Sequence, residues 1–508
     1  MKEALVMETP GQVAQATVGD ARDSAPIPDL VAALKRRGVR YCHWKSNVRL
    51  ADSLSGKEDL DLLVRRSDAT EFFAALSDAG FKLARSRDGG GHPGVLHAFA
   101  LDPRSLRLVH VHAYFQVVTG DSLVKSYHLP FERILLEDVG VRMGLPVPPV
   151  EAELLVFLLR IALKHTGPLE FWMVNRHYRA VPEELAWLRQ NADEAAARQL
   201  WMQHVPGARE DEFDTLIRLV ADPARVGARL GIGLRLAWRL REWRRIGFWA
   251  ASGSRLRRFG LLVGSRLRRR RSVRLVAGGV LVALVGPKAS GKSTLGAALG
   301  DRLGAQLDLR RIHVGKPPAT LLSAPVRVFL PLLRRLLPGE RSGQYQTPER
   351  RANMTFSYPY LVRMVLLAHD RRALLFRTRR AATEGAIVIA DRYPSFGVGA
   401  IDGSQFGAAA IAACGSRWKR ALMRLEGRLY RDLPKPDLVI RLNAPIQTTL
   451  LRDASRNKSD GPDPDSVQRR RDIETMAEFP EIPVAVINTD VPLEQSVSDV
   501  VRAVWRGL

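Results

Sequence analysis

Leu281-Val-Ala-Leu-Val285 runs without a break into Gly286-Pro-Lys-Ala-Ser-Gly-Lys-Ser-Thr294 and then into Leu295-Gly-Ala-Ala-Leu299. The apolar run predicts a buried strand, the residues after Thr294 have helical spacing, and G-x-x-x-x-G-K-S lies between them. Gly286 and Gly291 let the backbone curl so that successive N–H groups point into one concavity, to which the helix N-terminus adds its dipole. The spacing therefore predicts a cradle for phosphate oxygens built from Gly286, Pro287, Lys288, Ala289, Ser290, Gly291, Lys292, Ser293 and Thr294. Lys292 is expected to reach the terminal phosphates and the Ser293 hydroxyl to ligand Mg²⁺.

Outward from this loop, strand and helix patterns alternate to the end of the chain. Arg311–Val314, Pro436–Leu442 and Val484–Asn488 read as strands, Gly385-Ala-Ile-Val-Ile-Ala-Asp-Arg-Tyr-Pro394 carries Asp391 at a strand end, and Leu493–Trp505 reads as a closing helix. Such alternation predicts an α/β fold with a doubly wound parallel sheet. Arg452–Arg471 is basic and helix-prone, a candidate lid.

Taken in order, the loop, Asp370-Arg371 on an apolar helix, Asp391-Arg392-Tyr393 at a strand end, the strand Pro436–Leu442, and Arg452 with Arg456 resemble thymidylate kinase and its relatives among P-loop nucleoside monophosphate kinases. The resemblance covers about Val273 to the end. It implies a P-loop NTPase sheet, ATP as donor and Mg²⁺ as cofactor. Transfer between two anions needs cations on the equatorial oxygens, and Lys292, Arg392, Arg452 and Arg456 are the expected clamp. Asp391 is expected to hold the Mg²⁺ shell or steer the acceptor oxygen, and Arg371, Lys316 and Tyr393 to meet the acceptor. Three stretches depart from that family. Lys288 stands where an acidic residue helps hold the deoxyribose, Gly315-Lys-Pro-Pro-Ala-Thr320 replaces the stretch that meets the acceptor phosphate, and Gly399-Ala-Ile-Asp402 replaces the one that grips thymine. The donor half is kept, and the acceptor stays open between a dTMP-like nucleoside monophosphate and another anionic or sugar acceptor.

The chain has 508 residues, and 78 Lys+Arg against 53 Asp+Glu give it a net charge of +25. That balance implies an anionic partner. Sixteen arginines and one acid, Glu242, lie between Arg225 and Arg274, so most of the excess sits in one segment. Ile232, Leu236, Leu240, Trp243 and Ile246 form a helical stripe there, interrupted by Arg239. Arginine interleaved with Trp238, Trp243 and Trp249 suits an anionic membrane surface, with nucleic acid ranked lower; the alternative is a solvated interdomain helix whose aromatics pack on a neighbour. No apolar run reaches spanning length and the N-terminus lacks the layout of a signal peptide, so a cytoplasmic protein, peripheral to the inner face of the membrane if 225–272 binds it, is expected. Cys42 and Cys414 fit a reducing compartment.

On the N-terminal side, residues 1–25 read as a disordered tail. Gly56-Lys-Glu-Asp-Leu-Asp-Leu-Leu-Val64 puts Asp59 and Asp61 on one side of a strand, as period-two alternation requires. Paired carboxylates of this kind can bridge two Mg²⁺ ions. With His43-Trp-Lys-Ser-Asn47 and Val109-His-Val-His112, they resemble the nucleotidyltransferase superfamily, which implies an α/β domain over 26–149 in which Asp59 and Asp61 ligand metal. His110 or His112 stands where that family has a third carboxylate, and the opening Gly-Ser pair is absent. A helical extension over 150–224, a basic linker over 225–272 and the kinase-like domain over 273–508 complete the expected organisation. ATP-dependent phosphoryl transfer to a small anionic acceptor, in sugar-nucleotide or surface-polysaccharide metabolism by analogy of fold, is the leading expectation. A nucleotide-gated membrane-peripheral module and a nucleotidyltransferase with a regulatory P-loop half are the alternatives.

Overall fold

The chain folds as two compact units, and the division between them falls at Ala277/Gly278. The computed structural model describes residues 25–508 except 87–90, 93, 122, 165–177, 179, 268–272, 330–355, 396, 398–401 and 455–478. The N-terminal tail, Arg456 and most of the expected lid lie outside the described residues.

In the first unit, among the described residues, β1 (Tyr41–His43), β2 (Leu60–Val64), β3 (Lys82–Ser86), β4 (Val95–Leu101), β5 (Leu108–Tyr114) and β10 (Val273–Leu275) form a six-stranded sheet. Its order is β1-β2-β5-β4-β3-β10, with β2 and β5 parallel and the remaining neighbours antiparallel. Two short hairpins, β6 (Val117–Thr119) with β7 (Tyr127–Leu129) and β8 (Gly140–Arg142) with β9 (Leu145–Val147), form separate two-stranded sheets. Leu60, Leu62 and Val64 bury on one side against the helices Pro26–Arg36 and Ala69–Asp78, which leaves the alternating Asp59 and Asp61 on the other. The helix Val150–Lys164 is buried almost all round, as only a central helix is. The helices Ala180–Asn191, Glu194–His204, Glu210–Ala221 and Val226–Arg239 pack about it.

The segment expected as a linker is therefore largely part of this unit. Ile232, Leu236 and Leu240 of the expected stripe are core residues. Arg239 stays on that face because its guanidinium reaches Glu212 at 2.7 Å and the Gly207 carbonyl at 3.0 Å. Val273–Leu275, expected to open the kinase-like domain, pairs antiparallel with β3, so the boundary falls after 277. In the helix Phe248–Leu267, Arg255 pairs with Asp121 at 2.9 Å and Arg258 donates to the Leu123 carbonyl, whereas Phe248, Trp249 and Leu256 are exposed. Among the described residues no helix is long and apolar enough to cross a membrane.

The second unit is an α/β body around a parallel sheet. Its five strands, β11 (Leu281–Val285), β12 (Leu309–His313), β13 (Ile387–Asp391), β14 (Leu438–Asn443) and β15 (Val484–Asn488), lie in the order β12-β13-β11-β14-β15 and are all parallel. Leu281–Val285 is buried throughout, the continuous apolar run of a strand covered on both faces. The chain leaves β11 on one side to build β12 and β13 and returns on the other to build β14 and β15. The sheet order thus reverses at β11, and a crevice opens beyond its C-terminal end. The helices Lys292–Arg302 and Leu493–Arg506 pack on one another, the latter through Val497, Val500, Val501 and Val504 at helical spacing.

Candidate functional site

β11 ends at Val285 and the chain turns through Gly286 (φ 144°), Ala289 (φ 66°) and Gly291 (φ 93°) before the helix at Lys292. A Cβ on Gly286 would lie 2.7 Å from the Leu442 carbonyl oxygen, so only glycine fits between β11 and β14. Gly291 takes the N-cap position without a side-chain cap, which leaves the first-turn N–H groups of the helix directed into the loop's concavity. Lys292, largely buried, folds back over this loop. Its ammonium donates to the Gly286 carbonyl at 2.5 Å and the Pro287 carbonyl at 2.8 Å.

Parallel pairing sets Leu284 beside Asp391, and this register carries the Asp391 carboxylate to the loop. The Ser293 hydroxyl donates to Asp391 Oδ2 at 3.4 Å, while Asp391 Oδ1 is buried with no hydrogen-bond partner among the described residues. A bare carboxylate oxygen beside a hydroxyl is a hard-oxygen pair of the kind Mg²⁺ takes, its other positions being filled by water and phosphate. The residues present fit the ion. Arg392 follows in the left-handed region (φ 67°), held by its N–H on the Leu284 carbonyl at 3.1 Å and by Nη1 3.5 Å from Asp402 Oδ2. A Cβ on Gly315 would lie 3.2 Å from Arg392 Cδ, so that glycine makes room for the arginine. On the other side of the loop, Ala289, Ser290, Gly291, Thr294, Arg452, Thr489, Val491 and Leu493 line a cleft of 360 Å³. Arg452 is fixed there by a 2.8 Å bond from Nη2 to the Thr489 carbonyl.

Two expected acceptor contacts are corrected. Arg371 is buried: Nε donates to the Val314 carbonyl, Nη1 to the Asp402 carbonyl and the Tyr430 hydroxyl, and Nη2 to the Asp402 carboxylate. With these donors engaged, it braces the wall behind Arg392 rather than meeting a substrate. Tyr393 is a core residue whose hydroxyl donates to the Pro434 carbonyl, and burial pushes its phenol pKa upward. Lys316 is exposed in the turn after β12. Asp370, the neighbour of Arg371, anchors the segment after that turn by accepting from Thr320 Oγ1 and Ser323 Oγ, both at 2.7 Å, and from Arg327 at 2.6 Å. Replacing Arg371 by Met leaves the largely buried Asp402 carboxylate with only the longer Arg392 contact, and breaking a buried pair costs up to about 3–5 kcal/mol. A markedly lowered denaturation midpoint with unchanged acceptor KM in the folded fraction is the expected outcome; a raised KM at unchanged stability contradicts the bracing role.

Sequence reasoning missed Asp402, on which Arg371 and Arg392 converge, because no local pattern marks it. It also missed Thr489 and Val491, although their place just beyond the C-terminal end of β15 is where ligands sit in such sheets.

In the first unit, Asp59 and Asp61 do share one face, but each is already paired. Lys45 Nζ lies 2.8 Å and His112 Nδ1 3.3 Å from Asp61 Oδ1, and His110 Nδ1 lies 2.8 Å from Asp59 Oδ1. Burial would raise the Asp61 pKa, but Lys45 and His112 outweigh it and hold the carboxyl well below its usual range. Among the described residues no three His, Cys, Asp or Glu side chains are grouped to share a metal ion. With Asp59 and Asp61 held by Lys45 and two imidazoles, the expected two-metal arrangement does not fit these residues. Lys45 is carried by a segment whose buried Asn47 donates its N–H and Nδ2 to Glu153 at 3.1 and 2.9 Å. Burial raises the Glu153 pKa to about 7 against those bonds. No family model matches this sequence, and a search of curated proteins finds no significant relative.

Proposed function

We propose that the second unit is a P-loop kinase that transfers the γ-phosphoryl group of Mg·ATP to a small anionic acceptor. The observation that carries this reading is the juxtaposition, at the end of β11, of Lys292, the Ser293 hydroxyl and the partnerless Asp391 oxygen. The loop N–H groups receive the β-phosphate oxygens, and Lys292 exchanges its two loop carbonyls for phosphate oxygens. Asp391 and Ser293 would hold Mg²⁺, which when bound neutralises charge on the β- and γ-oxygens. Arg392, projecting from a fixed left-handed turn, is set to meet charge that develops on the transferred group, and Arg452 approaches from the 360 Å³ cleft. Release of ADP in the presence of a panel of phosphorylated and sugar-phosphate acceptors, with Lys292→Ala as blank, tests the reading. Tight ATP binding without acceptor-dependent ADP release across the panel instead favours a nucleotide-gated module.

The helix Phe248–Leu267 supports the further expectation of membrane contact. It shows Trp249 (84% exposed) and Leu256 (77%) to solvent while Arg255 and Arg258 face the body of the unit. The chain is expected to float with anionic liposomes and Trp249→Ala, Leu256→Ala to sink; equal flotation of both removes the helix from that role.

A further inference from the structure

The polar face of the first unit's sheet carries more positive charge than its own acids neutralise. Tyr114 projects from β5 beyond His110 and His112, and its hydroxyl receives both Lys45 Nζ at 3.2 Å and Lys125 Nζ at 3.1 Å. The same oxygen is 3.0 Å from His112 Nδ1. Arg160, from the central helix, lies over the Trp44 ring at 5.3 Å from its centroid. Among the described residues, Asp61 answers Lys45, and no carboxylate stands within ion-pair distance of Lys125 or Arg160, on which Asp61 and Glu153 act only from farther off. His97 on β4 stacks on His112 at 4.6 Å and lies 3.0 Å from His110, so the far side of the face is lined by imidazoles. Burial first and His112 second push the His97 pKa down to about 3, which leaves that ring neutral and a donor through one nitrogen.

Two ammonium groups on one phenol oxygen repel, and a folded protein tolerates that where an anion completes the set. Burial, with Lys45 as the next contribution, pulls the Lys125 pKa down to about 7 against the opposing pull of Asp61. The carboxylates are committed to Lys45 and the histidines, so the face is not built to take a divalent metal first.

We propose that Lys45, Lys125 and Arg160 form a metal-independent site for the phosphate group of a small soluble phosphomonoester. The side chains of Lys45, Asp61 and His112 are only 15–17% exposed, so a ligand that reaches them is small. A phosphate there accepts from the two ammonium groups and the guanidinium, and Tyr114 keeps the lysines apart. The proposal does not depend on the nucleotide reading of the second unit.

The test is calorimetric titration of inorganic phosphate into the full chain carrying Lys292→Ala, which removes the glycine loop's ammonium, in EDTA. Binding is expected there, weakened at least tenfold by adding Lys125→Met and equally by Arg160→Met, and restored when Lys125 is replaced by Arg. Asp59→Asn is expected to leave phosphate binding intact or tighten it, since it removes a negative charge. Circular dichroism and thermal melts establish that each variant is folded. No heat in the Lys292→Ala chain, no difference between it and the Lys125→Met double variant, or binding that appears only with Mg²⁺ and vanishes with Asp59→Asn overturns the proposal.

Discussion

Lys292→Ala is expected to lower ATP turnover by about 10³-fold while leaving the fold in place. The ammonium is a full positive charge held over the loop, and removing a preorganised donor from a developing oxyanion costs about 10²–10³ in rate. Loss of a charge-assisted contact to the terminal phosphates adds to that. The structural cost is small by comparison. The Gly286 and Pro287 carbonyls lose a donor at the mouth of the sheet, where water replaces it, and a neutral exchange of that kind is worth about 1 kcal/mol. ADP release and a thermal melt on the same preparation therefore separate the two effects. Turnover within a few-fold of the parent chain at equal stability would remove Lys292 from the chemistry.

The glycine loop was legible in the sequence because everything it needs is local. A buried strand, two glycines with positive φ and a helix start lie within a stretch of fifteen or so residues, and the backbone geometry follows from residue type. The direction of side chains elsewhere was not local. Asp370-Arg371 and Arg392-Tyr393 read as ligand-facing pairs, yet the helix that carries Arg371 turns it onto Val314, Asp402 and Tyr430. That outcome depends on residues 30 to 60 positions away in the chain, which no dipeptide reports. Val273–Leu275 was misplaced for a similar reason. Its apolar run continues toward Leu281, and only pairing with β3, far back in the sequence, assigns it to the first unit. The arginine-rich segment misled by composition: Arg239, Arg244 and Arg255 are held by Glu212, Tyr127 and Asp121, so part of the apparent excess serves internal contacts. Where alternation governed, as for Asp59 and Asp61, the sequence predicted the correct face and named His110, His112 and Lys45 near it, but not that these side chains pair with the two carboxylates.

Asp391→Asn separates function from stability in opposite directions. The amide keeps the shape of the carboxylate and can still meet the Ser293 hydroxyl, but it carries no charge for a hard cation. The Mg²⁺ concentration that supports half-maximal turnover is expected to rise at least tenfold, and turnover at saturating Mg²⁺ to fall by about 10²-fold. Nucleotide binding in EDTA is expected to change little, because the loop N–H groups and Lys292 are untouched. Stability should move the other way. In the parent chain Oδ1 is a buried oxygen with no hydrogen-bond partner among the described residues, at the end of a strand whose other residues are apolar and buried, a burden of about 1–3 kcal/mol. Removing the charge lightens it, so the melting temperature is expected to hold or rise by a few degrees. An equal loss of stability and activity in this variant would instead make Asp391 a structural partner of Ser293, and an unchanged Mg²⁺ dependence would take the ion away from this pair altogether.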